Sequence, residues 1–230
     1  MVAEIQREQK EFKVKICAKT IRNTIKLGTV FNIKNKDMIY KKEYKNRKEE
    51  KRVCNKVPAE KSIEYRPIQA KTREEYGHWE GDLVIGKATR GSVLFTLTER
   101  KTREEIIVKL PNKKADNIVR ALDKLEKRYN KFFYEKFKTI TFDNGAEFRV
   151  YKKMEKSCRR KKERIKVYYA HPYCSGERGS NENNNRLIRR FIPKGTSINN
   201  ISEEYIQWIE DWINNVPRPM FKYKTSLEVI

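Results

Sequence analysis

Apolar and polar residues alternate along several short stretches of the chain, and the first long one begins at residue 76. Tyr76-Gly-His-Trp-Glu-Gly-Asp-Leu-Val-Ile-Gly86 reads as a strand carrying Asp82 within it. Ser92 to Thr98 and Glu105 to Leu110 read as a second and a third strand, joined to the first as an antiparallel meander. The period then changes: Ala115, Ile118, Val119, Leu122 and Leu125 recur at helical spacing between Lys113 and Tyr129. Lys138-Thr-Ile-Thr-Phe-Asp-Asn-Gly145 returns to alternation, with Thr139, Thr141 and Asp143 on one face, Ile140 and Phe142 on the other, and Asn144-Gly145 as the stop. The basic run from Phe148 to Arg164 predicts a helix, and Arg164 to Ala170 a fifth strand. Ser180 is placed to cap a helix through Ile192, which Pro193 and Gly195 end. Ser202 is placed to cap another, Glu203 to Asn215, whose stripe is Ile206, Ile209, Trp212 and Ile213.

Three antiparallel strands, a helix, a strand, a helix, a strand and terminal helices form the element order of a ribonuclease-H-like α/β fold, a mixed sheet flanked by helices. Upstream of Tyr76 the pattern differs. Thr20, Ile21, Ile25 and Leu27, followed by Gly28, predict a short basic amphipathic helix, suited either to reading a DNA groove or to packing on a surface. From Asn35 to Arg73 charge dominates, above all between Lys41 and Arg52, so this stretch reads as a linker or arm that follows a DNA backbone or serves as a tether.

Composition narrows the partner. Lys and Arg number 54 against 31 Asp and Glu, a net charge of +23, which points to a polyanion. Aromatic residues make up 11% of the chain, which argues for a folded nucleic-acid binder over a disordered basic tail. No apolar run approaches the length of a membrane span and the N-terminus is charged almost throughout, so a soluble intracellular protein is expected. Cys17, Cys54, Cys158 and Cys174 stand far apart, and the histidines are His78 and His171. That set lacks the paired spacing of a structural zinc site.

The carboxylates carry the chemistry. Asp82 falls in the first strand, Asp143 at the end of the fourth, and Glu182 near the start of the helix after the fifth, places that converge in such a fold. Three gathered acids repel one another and call for divalent cations, and oxygen-only ligands favour Mg²⁺ or Mn²⁺. Two ions sharing such carboxylates suit in-line displacement at phosphorus. Glu80 and Glu147 are the neighbouring carboxylates that compete for the assignment.

Gly77-His-Trp-Glu-Gly-Asp-Leu-Val-Ile-Gly-Lys87, Thr96-Leu-Thr-Glu-Arg-Lys-Thr-Arg103, Phe142-Asp-Asn-Gly145, Glu177-Arg-Gly-Ser-Asn-Glu-Asn183 and Phe191-Ile-Pro-Lys-Gly-Thr196 resemble, in that order, the DDE transposases of the insertion-sequence-thirty family, as do Asp211-Trp-Ile-Asn-Asn215 and Tyr223-Lys-Thr225. The resemblance covers residues 60 to 230. It implies an integrase-type catalytic core in which Asp82, Asp143 and Glu182 are catalytic residues and metal ligands. It also implies metal-dependent cleavage at transposon ends, strand transfer into target DNA and a homo-oligomer in the cytoplasm on the nucleoid, with no membrane and no small-molecule cofactor. Residues 1–34 then read as a remnant of a DNA-binding helical region, 35–75 as the basic arm and 76–230 as the catalytic domain. Arg178, Asn181 and Asn185 surround a helix start, where backbone amides favour a phosphate, and Arg189 lies close to two turns beyond Glu182. Arg186 and Lys194 complete the expected DNA contacts. The chain departs from the family pattern at Gly176, at Arg186 and in a longer Asp143 to Glu182 separation. Two other readings are a truncated, non-catalytic DNA-binding remnant and a ribonuclease-H-like nuclease without strand transfer.

Overall fold

The computed structural model describes residues 17–28, 58–87, 91–172 and 174–230. The chain divides into one unit of residues 1–52 and 217–225 and another of residues 53–216 and 226–230. In the first unit, α1 (Ala18–Leu27) ends at Gly28, whose left-handed φ of 71° lets its N–H turn back to the Ile25 carbonyl at 3.2 Å. The predicted helix and its stop therefore both form. The basic arm from Lys41 to Lys56 lies outside the described residues.

The second unit is built on five strands, β1 (His78–Ile85), β2 (Val93–Glu99), β3 (Glu105–Leu110), β4 (Thr139–Phe142) and β5 (Lys166–Tyr169). Their order is β3-β2-β1-β4-β5, with β1, β2 and β3 antiparallel and β4 and β5 added parallel to β1. This is the ribonuclease-H-like arrangement. Short connections separate the strands of the meander, whereas a helix returns the chain between β3 and β4, which suits the parallel pairing of β4 with β1. That helix is α3 (Ala115–Tyr129), which comes after the short α2 (Ile68–Thr72) in the chain.

Alternation sorts the sheet into two faces. Trp79, Phe95, Leu97, Ile140, Phe142 and Val167 point towards α3 and form the larger core with Ile118, Leu122 and Leu125. The opposite face is covered by α6 (Gly179–Phe191) and α7 (Glu203–Asn214), where Val84, Leu94 and Ile107 meet Leu187, Ile188, Ile206, Ile209 and Ile213. Helix α7 also closes the open edge of β3. Glu105 N–H donates to Asn214 Oδ1 at 2.8 Å, Ile107 N–H donates to Glu210 Oε2 at 2.6 Å, and Asn214 Nδ2 donates to the Glu105 carbonyl at 2.9 Å. Edge backbone groups that would otherwise template another strand are thus satisfied by one helix. Ser202 caps α7 as expected, accepting from Tyr205 N–H at 3.1 Å. Ser180 does not cap α6; it lies inside that helix and is buried, accepting from Arg103 Nη1.

Two stretches differ from their sequence reading. Residues 58–75 pack on the sheet: Ser62 bridges Tyr169 of β5, Lys61 Nζ meets Glu155 at 2.5 Å, and Arg100 Nε donates to the Ala70 carbonyl at 2.8 Å. The basic run after Phe148 is helical only over α5 (Tyr151–Glu155), which follows the short α4 (Phe133–Lys136). Lys156 then bridges Glu163, Cys158 N–H donates to Glu126 Oε2 at 3.0 Å, and the amides of Arg159 and Arg160 donate to Ser157 Oγ at 3.0 and 2.9 Å. Side chains have captured the donors a longer helix would need.

Glu126 anchors that loop and is fully buried. Burial pushes its carboxyl up, but donors from Ser157, Tyr134 and Cys158 outweigh burial and hold it at about 2, against an ordinary 4.5. A depressed folded pKa contributes stability above pH 4.5 that is lost as pH falls towards 2, an effect of about 3 kcal/mol. Urea midpoints measured across that window should therefore fall more steeply for the wild type than for Glu126→Gln, which should start lower at neutral pH.

Candidate active site

Asp82 lies on β1 and Asp143 one residue beyond β4, so the pairing of these two strands decides their relation. The ladder sets His78 opposite Thr139, Trp79 opposite Ile140 and Glu80 opposite Thr141. Carried two residues further, that register sets Gly81 against Phe142 and Asp82 against Asp143, both acids on the face covered by α6. Gly81 supports the extension, because a Cβ built on it would lie 2.2 Å from Phe142 Cε1. Only glycine lets the two strands approach so closely beside the acids.

Helix α6 is tied to β1 along one face. Asn181 N–H donates to Glu80 Oε2 at 2.9 Å, Asn185 Nδ2 donates to Asp82 Oδ2 at 2.8 Å, and Arg189 Nη2 donates to the Ile85 carbonyl at 2.8 Å. Residues four apart on the helix thus meet successive outward groups of the strand. Leu83 N–H donates to the second oxygen of Asp82 at 2.9 Å, and Gly145 N–H donates to Asp143 Oδ1 at 2.9 Å. Glu182 stands on α6 one turn before Asn185, exposed, with Arg186 Nη2 donating to its Oε1 at 2.6 Å.

The three acids do not form a cluster in which one ligand atom from each lies within 4.8 Å of the others. Among the described residues, the set of that kind is Asp123, Glu126 and Cys158. A guanidinium already occupies it, since Arg164 Nη1 donates to Asp123 at 2.5 Å and to Glu126 at 3.2 Å, so it reads as a structural knot of the loop after α5. Glu80 is fully buried and ion-paired to Arg100, which removes it as a competitor for a metal. Glu147 stays close by: its carboxylate and that of Asp143 both flank the position of a Cβ on Gly145.

The expected DNA contacts divide. The side chains of Asn181 and Asn185 are engaged by β1. Arg189 is half-buried and keeps one nitrogen, Nη1, without a partner; burial pushes its pKa down and Asp82 pulls it back up. Arg186 and Lys194 are exposed, and the side chain of Arg178 lies outside the described residues. His78 is structural: it is buried, with Nδ1 2.8 Å from Thr139 Oγ1 and Nε2 2.9 Å from Glu75. Trp79 is core and donates to the Lys136 carbonyl at 2.7 Å.

The transposase for insertion sequence element IS4351 of Bacteroides fragilis is 38% identical over 173 residues, 75% of this chain and 50% of that protein. The transposase InsI for insertion sequence element IS30A of Escherichia coli (strain K12) is 35% identical over 158 residues, 69% of this chain and 39% of that protein. Over that stretch the chain is similar to transposases of the IS30 type. It spans about half the length of the curated relatives it matches. Among solved structures, a chain of the simian T-cell lymphotropic virus intasome in complex with PP2A regulatory subunit B56 gamma matches it with a TM-score of 0.50 at 16% identity, over 67% of this chain and 54% of that one, a likeness of fold. No family model matches the chain. No described helix is long and apolar enough to cross a membrane.

Proposed function

We propose that this chain carries the catalytic core of a DNA transposase, which hydrolyses a phosphodiester at an element's end and directs the resulting 3′-hydroxyl at a phosphodiester of target DNA. The observation that best supports this reading is the β1 and β4 register: carried two residues further, it sets Asp82 level with Asp143 on the sheet face covered by α6, the helix that contains Glu182. Asp82, Asp143 and Glu182 are the acids we assign to the reaction and to the metal. The donor set fits hard cations, because all three ligands are carboxylates and offer only oxygen. Two Mg²⁺ or Mn²⁺ ions held by these residues would supply Lewis-acid stabilisation to the attacking and leaving oxygens of an in-line displacement.

The chain's own groups do the rest. Asn185 orients Asp82, the Gly145 amide orients Asp143, and both act before any ligand arrives. Arg186 holds Glu182 in the unliganded protein, an i,i+4 pair on the solvent side that a stronger cation would displace. Arg189 offers its unpartnered Nη1 to a phosphate oxygen beside Asp82. The net charge of +23 supports binding of two DNA partners, element ends and target, and pairing two ends calls for a homo-oligomer.

A cleavage and joining assay with labelled candidate ends and a supercoiled target tests the reading. Mg²⁺ should yield joined products and a chelator should abolish them. Nicking without any joined product would favour a plain nuclease, and DNA binding with neither product a non-catalytic remnant.

A further inference from the structure

A cavity of about 360 Å³ opens between the segment around Ile63 to Arg73 and the turn that leads into α6. Four cations line it, Arg66, Lys71, Arg73 and Arg100, against two carboxylates, Glu64 and Glu177. His171 occupies those acids: Glu177 accepts from its Nδ1 and its backbone N–H, each at 2.8 Å, and Glu64 lies 3.5 Å from its Nε2. Arg100 is paired with buried Glu80, while Lys71 and Arg73 make no ion pair with the described residues. The pocket therefore retains uncompensated positive charge.

Its position is fixed by the sheet. Arg66 Nη1 donates to Thr141 Oγ1 at 3.1 Å, and Thr141 precedes Asp143 by two residues on the same face. Arg100 holds Glu80, which precedes Asp82 by two residues on the same face. The strand positions that hold Arg66 and Arg100 thus lie one two-residue step, roughly 6.6 Å, before the acidic pair.

Two features are unfavourable for a pocket that stays empty. Arg66 and Arg100 repel each other, and burial together with Arg100 pushes Arg66 down to about 10. The buried Arg66 Nε has no partner. Arg73 also holds a left-handed backbone, φ 63°, where glycine would be at ease. An anion would offset the two costs at Arg66, and a phosphate suits the forked guanidinium donors.

We propose that this pocket binds a non-reacting phosphodiester of the DNA strand that crosses Asp82 and Asp143, setting the strand's register over the acids. The inference rests on the transposase reading above and adds the subsite to it.

Equilibrium binding of the full chain to oligonucleotides, without divalent metal, tests it. Each linkage near the cut is replaced in turn by a neutral methylphosphonate. In the wild type, replacement at one linkage should weaken binding about tenfold. Arg73→Gly removes a cation and suits the left-handed backbone, so it should fold with an unchanged or higher thermal midpoint. It should bind unmodified DNA less tightly and lose little more when that linkage is neutral. Arg66→Ala should show the same loss of sensitivity at that linkage, with a lower midpoint because its hydrogen bond to Thr141 is lost. Equal sensitivity in the wild type and Arg73→Gly at every linkage would overturn the proposal. So would a flat scan combined with Arg73-dependent binding of inorganic phosphate, which would make the pocket a site for a small phosphomonoester. A wild type that binds no DNA would sink the transposase reading and the pocket with it, whereas DNA binding with a flat scan sinks the pocket alone.

Discussion

Asp143→Asn should lower strand cleavage in Mg²⁺ by about 10³-fold or more while leaving the fold intact, since losing a metal-holding carboxylate removes several kcal/mol of transition-state stabilisation. The turn does not need the charge. Gly145 N–H donates to Asp143 Oδ1 at 2.9 Å, and an asparagine oxygen at that place accepts the same bond. The thermal midpoint without metal should therefore stay within about 2 °C of wild type, the shift expected for a change below about 0.5 kcal/mol. Metal-free DNA binding should persist, because it draws on the basic surface. A variant that cleaves at the wild-type rate would remove Asp143 from the chemistry. A variant that unfolds would show the carboxylate to be a turn residue whose negative charge matters for structure.

Gly81→Ala should be the most damaging single methyl group in the second unit. Its Cβ would stand 2.2 Å from Phe142 Cε1 and 2.7 Å from Cδ1. Phe142 cannot yield, because it is fully buried, stacked on Phe148 with centroids 4.4 Å apart and facing Phe95 at 6.2 Å. Overpacking of this kind costs about 3 kcal/mol, or roughly a 10 °C drop in thermal midpoint for a unit of this size. Phe142 immediately precedes Asp143, so any shift it makes also moves the acid, and cleavage should fall further than stability alone accounts for. Adding Phe142→Leu to Gly81→Ala should recover part of the midpoint. An unchanged midpoint in Gly81→Ala would mean that β1 and β4 do not meet in the extended register on which the placement of Asp82 beside Asp143 depends.

The sheet and its helices were legible because alternation and helical spacing report burial directly: Trp79, Ile140 and Phe142 on one face, Ile206, Ile209 and Ile213 on one helix. Charge was a poorer guide. Residues 58–75 read as an arm because Lys61 and Arg66 look solvated in sequence, yet they bond to Glu155 and Thr141 from across the fold. The run after Phe148 read as helix, and the competing acceptors Glu126 and Ser157 could not be foreseen without the loop's tertiary partners. At the site, the sequence placed Asn181 and Asn185 at the helix start and Arg189 two turns beyond Glu182 as DNA contacts, and gave no sign that β1 would claim their polar groups. The Glu80 and Arg100 pair left no sequence signal beyond a buried-face glutamate two residues from Asp82, a position that itself demands a partner.

The central claim, that Asp82, Asp143 and Glu182 together hold the divalent ions, is tested most directly by titrating the metal itself. Mn²⁺ binding followed by paramagnetic resonance, with wild type, Glu182→Gln, Glu147→Gln and Asp123→Asn side by side, requires neither DNA nor turnover. Glu182→Gln should weaken binding about tenfold or more, while Glu147→Gln and Asp123→Asn should bind as wild type. Binding that survives Glu182→Gln but is lost in Asp123→Asn would place the ion at the tighter Asp123, Glu126 and Cys158 group and contradict the account.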